Sequence, residues 1–285
     1  MNAAQTYVNL FPPAISRAIQ SSLPFRNGTL EEIRCRIGQP YVLSSSSGEC
    51  MLQQRADASA MDYILERATN YSIHAFSSEM KEGYLHTDGG CRVGICGSIS
   101  PNGFRNVSSI SVRIPIEVVG CARPILEELL QSGIRSTLIV SPPGCGKTTL
   151  LRDMIRILSL RGYRVCVADE RGEIAAMSER IPQFDLGPRT DVISGGAKAK
   201  SCLMMLRSMN PQILALDEIT DPKDIEAVKC AAGCGVVLLA SAHASDAGSL
   251  RDRPLYREIL QEHIFEFAVE IQLVGARRVY RVVNL

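Results

Sequence analysis

The sequence has no tryptophan, little net charge and no long apolar run. Among its 285 residues, aromatic side chains make up 5% and the formal net charge at pH 7 is +1. A nearly neutral chain without interleaved aromatic and basic residues offers no general attraction to nucleic acid, so no nucleic-acid partner is expected. Because no run approaches the roughly 18 apolar residues of a membrane-spanning helix, any membrane contact is expected to be peripheral.

The N-terminus also lacks the basic segment and the uninterrupted apolar stretch of a signal peptide, since Pro12-Pro13 interrupts the first apolar run. In a chain of this size without a signal peptide, the ten cysteines are predicted to be reduced thiols. With 46% apolar and 21% charged residues, the composition is that of a globular protein of one large or two modest domains.

What the sequence does contain is the signature of a phosphate-binding loop. An apolar run at 137–140 leads into a glycine-containing segment that ends in Gly-Lys-Thr, and a helix-like segment follows. Strand, loop and helix in that order are the context that the motif requires, because loop N–H groups and the helix N-terminus then bind phosphate. The predicted nucleotide-binding residues are Ser141, Pro142, Pro143, Gly144, Cys145, Gly146, Lys147, Thr148 and Thr149.

Within this loop, two side chains have expected roles. Lys147 supplies a positive charge for the outer phosphates, and the Thr148 hydroxyl reaches Mg²⁺. One position departs from the pattern, because the first glycine of GxxxxGK[ST] is Ser141 here. Gly144 and Gly146 remain where backbone freedom is most needed. The loop therefore predicts binding of ATP with Mg²⁺.

A second apolar strand, 212–216, delivers the acidic pair Asp217-Glu218 at its end. This is the form of a Walker B element, in which Asp217 holds the Mg²⁺ shell and Glu218 polarises the attacking water. The alternative is a strand followed by a solvated acidic turn. Glu218 and Lys147 are thus the first two candidates for catalytic residues.

Acids also follow the strand before it, in the segment Asp169-Glu170-Arg171-Gly172-Glu173. Ligands of open α/β sheets bind at the carboxyl ends of strands, so Glu170 and Glu173 are candidates to position water or Mg²⁺. Arg171 is a candidate to face a phosphate or a neighbouring subunit. Acid-rich turns are often simply solvated, which is the alternative for each residue.

A fourth strand ends in small residues and one histidine, Ala242-His243-Ala244. At this position His243 is predicted to lie beside the γ-phosphate and to sense its presence. A lone histidine carries little information, so the prediction depends on the three neighbouring motifs.

The order of predicted elements indicates two domains. Before Pro115, a period-two strand, an amphipathic helix at 57–76 and glycine-punctuated strands indicate a small α+β module. From Pro124 onward, apolar strands alternate with helices, which is typical of a mostly parallel sheet, and a hairpin closes the chain across Gly275-Ala276. Strands are predicted at 30–37, 41–43, 83–86, 92–99, 109–114, 137–140, 164–168, 212–216, 236–242, 265–274 and 278–283.

We therefore predict an α/β fold of the P-loop NTPase class (RecA/AAA-like) with a mostly parallel sheet. The predicted domains are an N-terminal α+β module over residues 1–118 and an ATPase domain over residues 119–285.

The four motifs in this order resemble the secretion and retraction ATPases of bacterial type II and type IV systems. A closer resemblance, to the stage III sporulation protein AA family of endospore-forming bacteria, covers nearly the whole chain. The segments that carry it are 31–38 (EEIRCRIG), 70–76 (NYSIHAF), 92–97 (RVGICG), 142–153 (PPGCGKTTLLRD) and 169–171 (DER).

This resemblance implies a cytosolic ATPase of the mother cell, working with membrane proteins at the base of the channel that joins mother cell and forespore. It also implies a homo-oligomeric ring, a hexamer, with nucleotide between subunits. Arginines would then touch the γ-phosphate, and Arg92 and Arg113 are the candidates because each lies on a predicted strand of the first module. The alternative for each is an exposed charge.

Two other functions stay open at this point. One is an ATPase stimulated by RNA or single-stranded DNA, which the neutral charge disfavours. The other is a scaffold that binds nucleotide only to assemble, which the acidic pair Asp217-Glu218 disfavours.

Overall fold

The computed structural model describes residues 3–28, 30–45, 47–71, 80, 83–87, 90–100, 103–178, 180–275 and 277–285. The chain forms two compact units, the first from residues 1–116 and 176–183 and the second from residues 117–175 and 184–285. The predicted domain boundary at 118/119 stays a prediction. Each unit is built on its own β-sheet and is described by itself.

The first unit contains an antiparallel sheet in the order β3-β2-β1-β6-β5-β4. Its strands are β1 (Leu30–Arg36), β2 (Pro40–Ser45), β3 (Gly48–Arg55), β4 (Tyr84–His86), β5 (Arg92–Ser100) and β6 (Gly103–Arg113). Its α-helices are α1 (Pro13–Ser21), α2 (Leu23–Arg26) and α3 (Ala58–Ala68), and a 3₁₀ helix spans Ala3–Leu10.

Alternation along β1 explains how this sheet acquires one apolar and one polar face. Ile33 and Cys35 are fully buried, whereas Arg34 and Arg36 are on the opposite side. The predicted helix at 57–76 is confirmed over Ala58–Ala68, where its apolar stripe joins the core. Residues 72–76 of that prediction lie outside the described residues.

One strand of the first unit was not predicted. The predicted strands leave residues 44–56 without a strand, but β2 continues to Ser45 and β3 spans Gly48–Arg55. Among the described strands, β3 pairs with β2 alone, and its Cys50 and Leu52 are only partly buried. An edge strand with so little buried apolar surface leaves a weak hydrophobic period in the sequence.

The second unit contains a seven-stranded sheet in the order β13-β12-β7-β11-β10-β8-β9, parallel except for the hairpin β12–β13. Its strands are β7 (Thr137–Ser141), β8 (Val165–Asp169), β9 (Thr190–Ser194), β10 (Ile213–Glu218), β11 (Val237–His243), β12 (Phe267–Val274) and β13 (Arg277–Asn284). Its α-helices are α4 (Arg123–Leu129), α5 (Lys147–Leu160), α6 (Lys198–Ser208), α7 (Pro222–Gly233) and α8 (Pro254–Gln261). The predicted α/β class with a mostly parallel sheet is confirmed.

The burial of most of these strands explains why they could be predicted from the sequence. Every residue of β7 and β8 is buried, as expected for parallel strands covered on both faces. β9 was not predicted, because it lies at the sheet edge and none of its residues is buried. The predicted closing hairpin is confirmed in its two strands, and Ala276 of its turn lies outside the described residues.

None of the helices in the described part of the chain has both the length and the apolar character needed to cross a membrane. All ten cysteines are free thiols, as predicted. Two that the sequence places in apolar runs, Cys96 and Cys230, are nevertheless exposed.

Candidate functional site

The parallel sheet brings all four motifs to one edge. β11 lies between β7 and β10, so that His243 pairs with Ser141 at the end of β7, and Glu218 at the end of β10 pairs with Ser241. Because parallel strands end at the same edge, the loop after β7, the acids of β10 and the histidine of β11 become neighbours. Chain order alone did not specify that β11 separates the other two.

The loop between β7 and α5 owes its shape to two glycines. Gly144 has φ +76° and Gly146 has φ +100°, both in the left-handed region where a side chain is unfavourable. Ser141, by contrast, is the last residue of β7 and is fully buried in extended backbone. Its place in the strand explains why a side chain is accepted where the usual motif has glycine.

Lys147 opens α5 and is only 7% exposed. Its Nζ donates to the carbonyl oxygens of Ser141 (3.0 Å) and Pro142 (3.2 Å) and lies 2.6 Å from Nδ1 of His243. Burial lowers the pKa of Lys147, and the nearby carboxylate of Glu218 acts in the opposite direction.

His243 links this lysine to the acid of β10. Its Nε2 lies 2.8 Å from Oε2 of Glu218. An ammonium group only donates, so contact with Lys147 makes Nδ1 the acceptor and leaves Nε2–H to donate to the carboxylate. Lys147, His243 and Glu218 therefore form one hydrogen-bonded chain along the edge of the sheet.

A β-bulge shapes the acidic pair. The pairing of β10 with β11 shifts between Leu216 and Glu218, which leaves Asp217 as the extra residue. A bulge re-aims side chains at a strand end. Asp217 is 7% exposed, and its Oδ1 accepts a hydrogen bond from Ser241 Oγ at 3.4 Å.

The donor chemistry at this edge fits magnesium. Thr148, the second residue of α5, carries a hydroxyl, and Asp217 carries a carboxylate. In nucleotide sites, Mg²⁺ prefers hard oxygen ligands of this kind. One or two of them come from the protein, and the rest come from phosphate and water.

The acidic segment after β8 is held by its first residue. Asp169 is fully buried, and its carboxylate accepts the N–H groups of Ile174 (3.1 Å) and Ala175 (2.8 Å), which closes the turn over residues 170–175. Burial raises the pKa of Asp169. Of the two candidate acids here, Glu170 lies 3.4 Å from Nζ of Lys198, and Glu173 accepts a hydrogen bond through its backbone carbonyl.

Three basic residues at this end of the unit were not predicted to belong to the site. Arg152 of α5 is buried and donates to the carbonyls of Glu173 (2.7 Å) and Ile174 (2.9 Å), and burial lowers its pKa to about 10. Lys198 is the first residue of α6. Arg278 of β13 donates through Nε to the carbonyl of Cys145 at 2.9 Å.

Arg278 also supplies a second reason for Gly146. A Cβ at position 146 would lie 2.9 Å from Nε of Arg278, closer than real Cβ contacts. The arginine therefore crosses the phosphate loop where glycine leaves room. No signal for this contact is present in the sequence, because Cys145 and Arg278 are 133 positions apart in the chain.

The candidate fingers Arg92 and Arg113 belong to the first unit. They are directly paired on β5 and β6, on the outer face of the antiparallel sheet. The Arg92 guanidinium lies 4.1 Å from the ring centroid of Tyr84, and Nε of Arg113 lies 3.8 Å from Oε1 of Glu32. Their predicted contact with a γ-phosphate stays a prediction.

Comparisons with known proteins agree with this architecture. The family described as "Sporulation stage III, protein AA" matches residues 3–279. Stage III sporulation protein AA of Bacillus subtilis (strain 168) is 35% identical over 252 residues, which cover 85% of this chain and 82% of that relative.

Two solved structures share the fold. The pilus retraction motor PilT with bound ADP has a TM-score of 0.68 at 15% identity, over 95% of this chain and 82% of PilT. The ATPase DotB of Legionella pneumophila has a TM-score of 0.61 at 14% identity, over 90% and 76% of the two chains. The resemblance inferred from the sequence is confirmed: this chain belongs to the Sporulation stage III, protein AA family and has the fold of these P-loop ATPases.

Proposed function

We propose that the protein is a Mg²⁺-dependent ATPase that converts ATP and water to ADP and phosphate. The observation that carries the proposal is the chain Lys147–His243–Glu218, which connects the lysine of the phosphate loop to the acid beside Asp217. A phosphate-binding loop with a nearby residue that can orient the attacking water is a recurring arrangement in enzymes that transfer a phosphoryl group to water.

Each residue has a proposed role in this reaction. Backbone N–H groups of residues 144–149 bind the phosphates, and Lys147 neutralises charge on the outer ones. Glu218 orients and polarises the water whose oxygen attacks the γ-phosphorus as the bond to the ADP oxygen breaks. Thr148 and Asp217 would hold Mg²⁺, which neutralises phosphate charge when bound.

His243 is proposed to sense the γ-phosphate. Its two ring nitrogens contact a phosphate-binding group and a water-activating group, Lys147 and Glu218, at once. A bound γ-phosphate would draw Lys147 away from Nδ1 of His243. Because Nε2 of His243 contacts the Glu218 carboxylate, this shift would be passed to the group that has to bind the attacking water. Glu170 and Glu173 are proposed as further acids that position water or Mg²⁺.

We further propose that the protein acts as a homo-oligomeric ring, a hexamer, in the mother-cell cytosol, peripheral to membrane proteins of the sporulation channel. Family membership and the fold shared with PilT, a retraction motor, support this. In such a ring Arg92 and Arg113 would reach a γ-phosphate, and hydrolysis would move the N-terminal module against the ATPase module.

The test is steady-state phosphate release by the wild-type protein and by Lys147→Ala, with Lys223→Ala, an exposed lysine of α7, as the matched control. Loss of Lys147 should abolish release or lower it by at least about a hundredfold, whereas Lys223→Ala should match the wild type. Wild-type turnover by Lys147→Ala would contradict the proposed site.

The same assay separates the rival functions. Release that rises several-fold with RNA or single-stranded DNA would indicate a nucleic-acid-stimulated enzyme. Nucleotide binding without any phosphate release by the wild type would indicate an assembly scaffold.

A further inference from the structure

The ammonium group of Lys198 is in an unusual place for a lysine. It opens α6, where the partial positive charge of the helix N-terminus disfavours a cation, and only 4% of the residue is exposed. Burying a charge costs free energy unless close partners replace water. Lys198 therefore has to be held by specific oxygens.

Those oxygens come from three separate segments of the second unit. The Lys198 Nζ lies 3.4 Å from Oε2 of Glu170, in the turn after β8, and donates to the backbone carbonyl of Glu218, at the end of β10. It also lies 3.5 Å from Thr220 Oγ1 and 3.5 Å from Asp224 Oδ2, at the start of α7.

Asp224 extends this network into the backbone that follows Glu218. Its Oδ2 accepts the N–H groups of Thr220 and Asp221, each at 3.1 Å, within the capping box that begins α7. Glu218 is consequently fixed from two sides, through its carboxylate by His243 and through its carbonyl by Lys198. Only the first of these contacts belongs to a recognised motif.

We propose that Lys198 is a positioning residue for hydrolysis: it fixes the backbone of Glu218 and holds the Glu170 carboxylate toward the same edge of the sheet. This inference rests on the proposed ATPase function. Displacement of a reacting group by about 1 Å costs on the order of a hundredfold in rate, so a single buried ammonium between the two acids can control the chemical step.

A purely structural role makes a different prediction. If Lys198 only stabilised the unit, its removal would lower the melting temperature and would leave kcat per folded molecule unchanged. If it positions Glu218, removal lowers kcat while nucleotide affinity stays, because the phosphate loop and Lys147 have other partners.

The experiment compares Lys198→Met with Lys200→Met, an exposed lysine of the same helix, in the full chain. Phosphate release at varied ATP gives kcat and KM, a fluorescent ATP analogue gives affinity, and a melting curve reports folding. We expect kcat of Lys198→Met to fall about tenfold or more with affinity within about twofold. Lys200→Met should match the wild type, and Lys198→Arg should recover part of the lost kcat.

If Lys198→Met does not fold, Lys198→Gln replaces it, since its amide can still donate to a carbonyl while the charge is lost. A folded neutral variant with wild-type kcat would overturn the inference, as would parallel losses of kcat and affinity. Wild-type protein that binds the analogue without releasing phosphate would defeat the proposed hydrolysis instead. The two failures are therefore distinguishable.

Discussion

The two units of this protein differ in whether they bury charged side chains. Among the described residues, the buried charged side chains all lie in the second unit: Lys147, Arg152, Asp153, Asp169, Lys198, Asp217, Asp224 and Glu270. In the described part of the first unit, the buried polar residues are Thr69 and Thr87, both uncharged. Its charged residues instead line the outer face of the sheet, as Arg36 and Arg113 do.

The core of the first unit consists mainly of apolar side chains, whereas the second unit also contains the candidate site. Buried charges are tolerated when each is hydrogen-bonded or paired, and Asp169 and Lys198 satisfy this condition. Most members of the buried set are at the carboxyl edge of the parallel sheet, where the motifs meet. In its described part, the first unit bears no such cost.

The largest expected effect tests whether surface arginines of the first unit act in the chemistry of the second. As γ-phosphate ligands, Arg113 and Arg92 should each, when changed to alanine, lower phosphate release by roughly a thousandfold, the scale of known arginine fingers. The melting temperature of Arg113→Ala should barely change, because Arg113 is exposed and exposed charges contribute little to stability. Arg92→Ala should lower it somewhat more, because Arg92 is half-buried and its guanidinium lies over the Tyr84 ring.

Arg105→Ala is the matched control, since Arg105 is an exposed arginine of the same strand as Arg113. Normal turnover by both Arg92→Ala and Arg113→Ala would remove these two residues from the proposed mechanism and leave the first unit without an assigned contact to nucleotide.

A smaller effect is expected on stability in the second unit, at Asp153. Its buried carboxylate accepts the N–H of Ala122 (2.8 Å) and pairs with Arg156 (2.7 Å). Burial alone would raise the pKa of Asp153, but these hydrogen bonds and the Arg156 charge hold it below the usual value. Asp153→Asn should cost about 2 kcal/mol of unfolding free energy near pH 7.

The pH dependence has a definite sign. Because the folded pKa is lower than the unfolded value of about 3.9, the stabilising contribution is complete above that value and is lost as pH falls through the lower folded pKa. The difference in unfolding free energy between wild type and Asp153→Asn should therefore begin to shrink as pH falls below about 4 and continue to shrink toward the folded pKa. A difference that stays constant down to pH 2.5 would contradict this explanation.

The smallest effect on the unfolding free energy is expected when a carboxylate of the first unit, that of Glu32, is replaced by an amide. Glu32 pairs with Arg34 at 2.9 Å on the outer face of the sheet. Glu32→Gln should change the unfolding free energy by less than about 1 kcal/mol, because its partners Arg34 and Arg113 are 42% and 66% exposed and the amide oxygen of glutamine can still accept from Ser111. A loss as large as that of Asp153→Asn would erase the contrast between the units.

Much of the fold and part of the site could be predicted from the sequence. Strands β7, β8, β10 and β11 are short apolar runs, and each is followed by, or ends in, polar residues typical of a nucleotide site. The candidates Lys147, Glu218 and His243 could therefore be identified from the sequence pattern alone. The edge strands β3 and β9 could not, because they bury too little apolar surface to leave a period.

Lys198 and Arg278 show a different limit. Their surroundings are created by tertiary contact, between α6 and two strand ends for Lys198 and between β13 and the phosphate loop for Arg278. For Lys198, the one local indication is its position as the first residue of α6, where the helix dipole disfavours a positive charge. No spacing rule connects residues that lie this far apart in the chain.

The most direct test of the central claim is the nucleotide retained by Glu218→Gln, purified and incubated with ATP and Mg²⁺ and then analysed for ATP and ADP. We expect this variant to bind ATP as tightly as the wild type, to retain it largely as ATP, and to release phosphate at least about a hundredfold more slowly. Conversion of bound ATP to ADP at the wild-type rate would contradict the role of Glu218 and, with it, the proposed hydrolytic site.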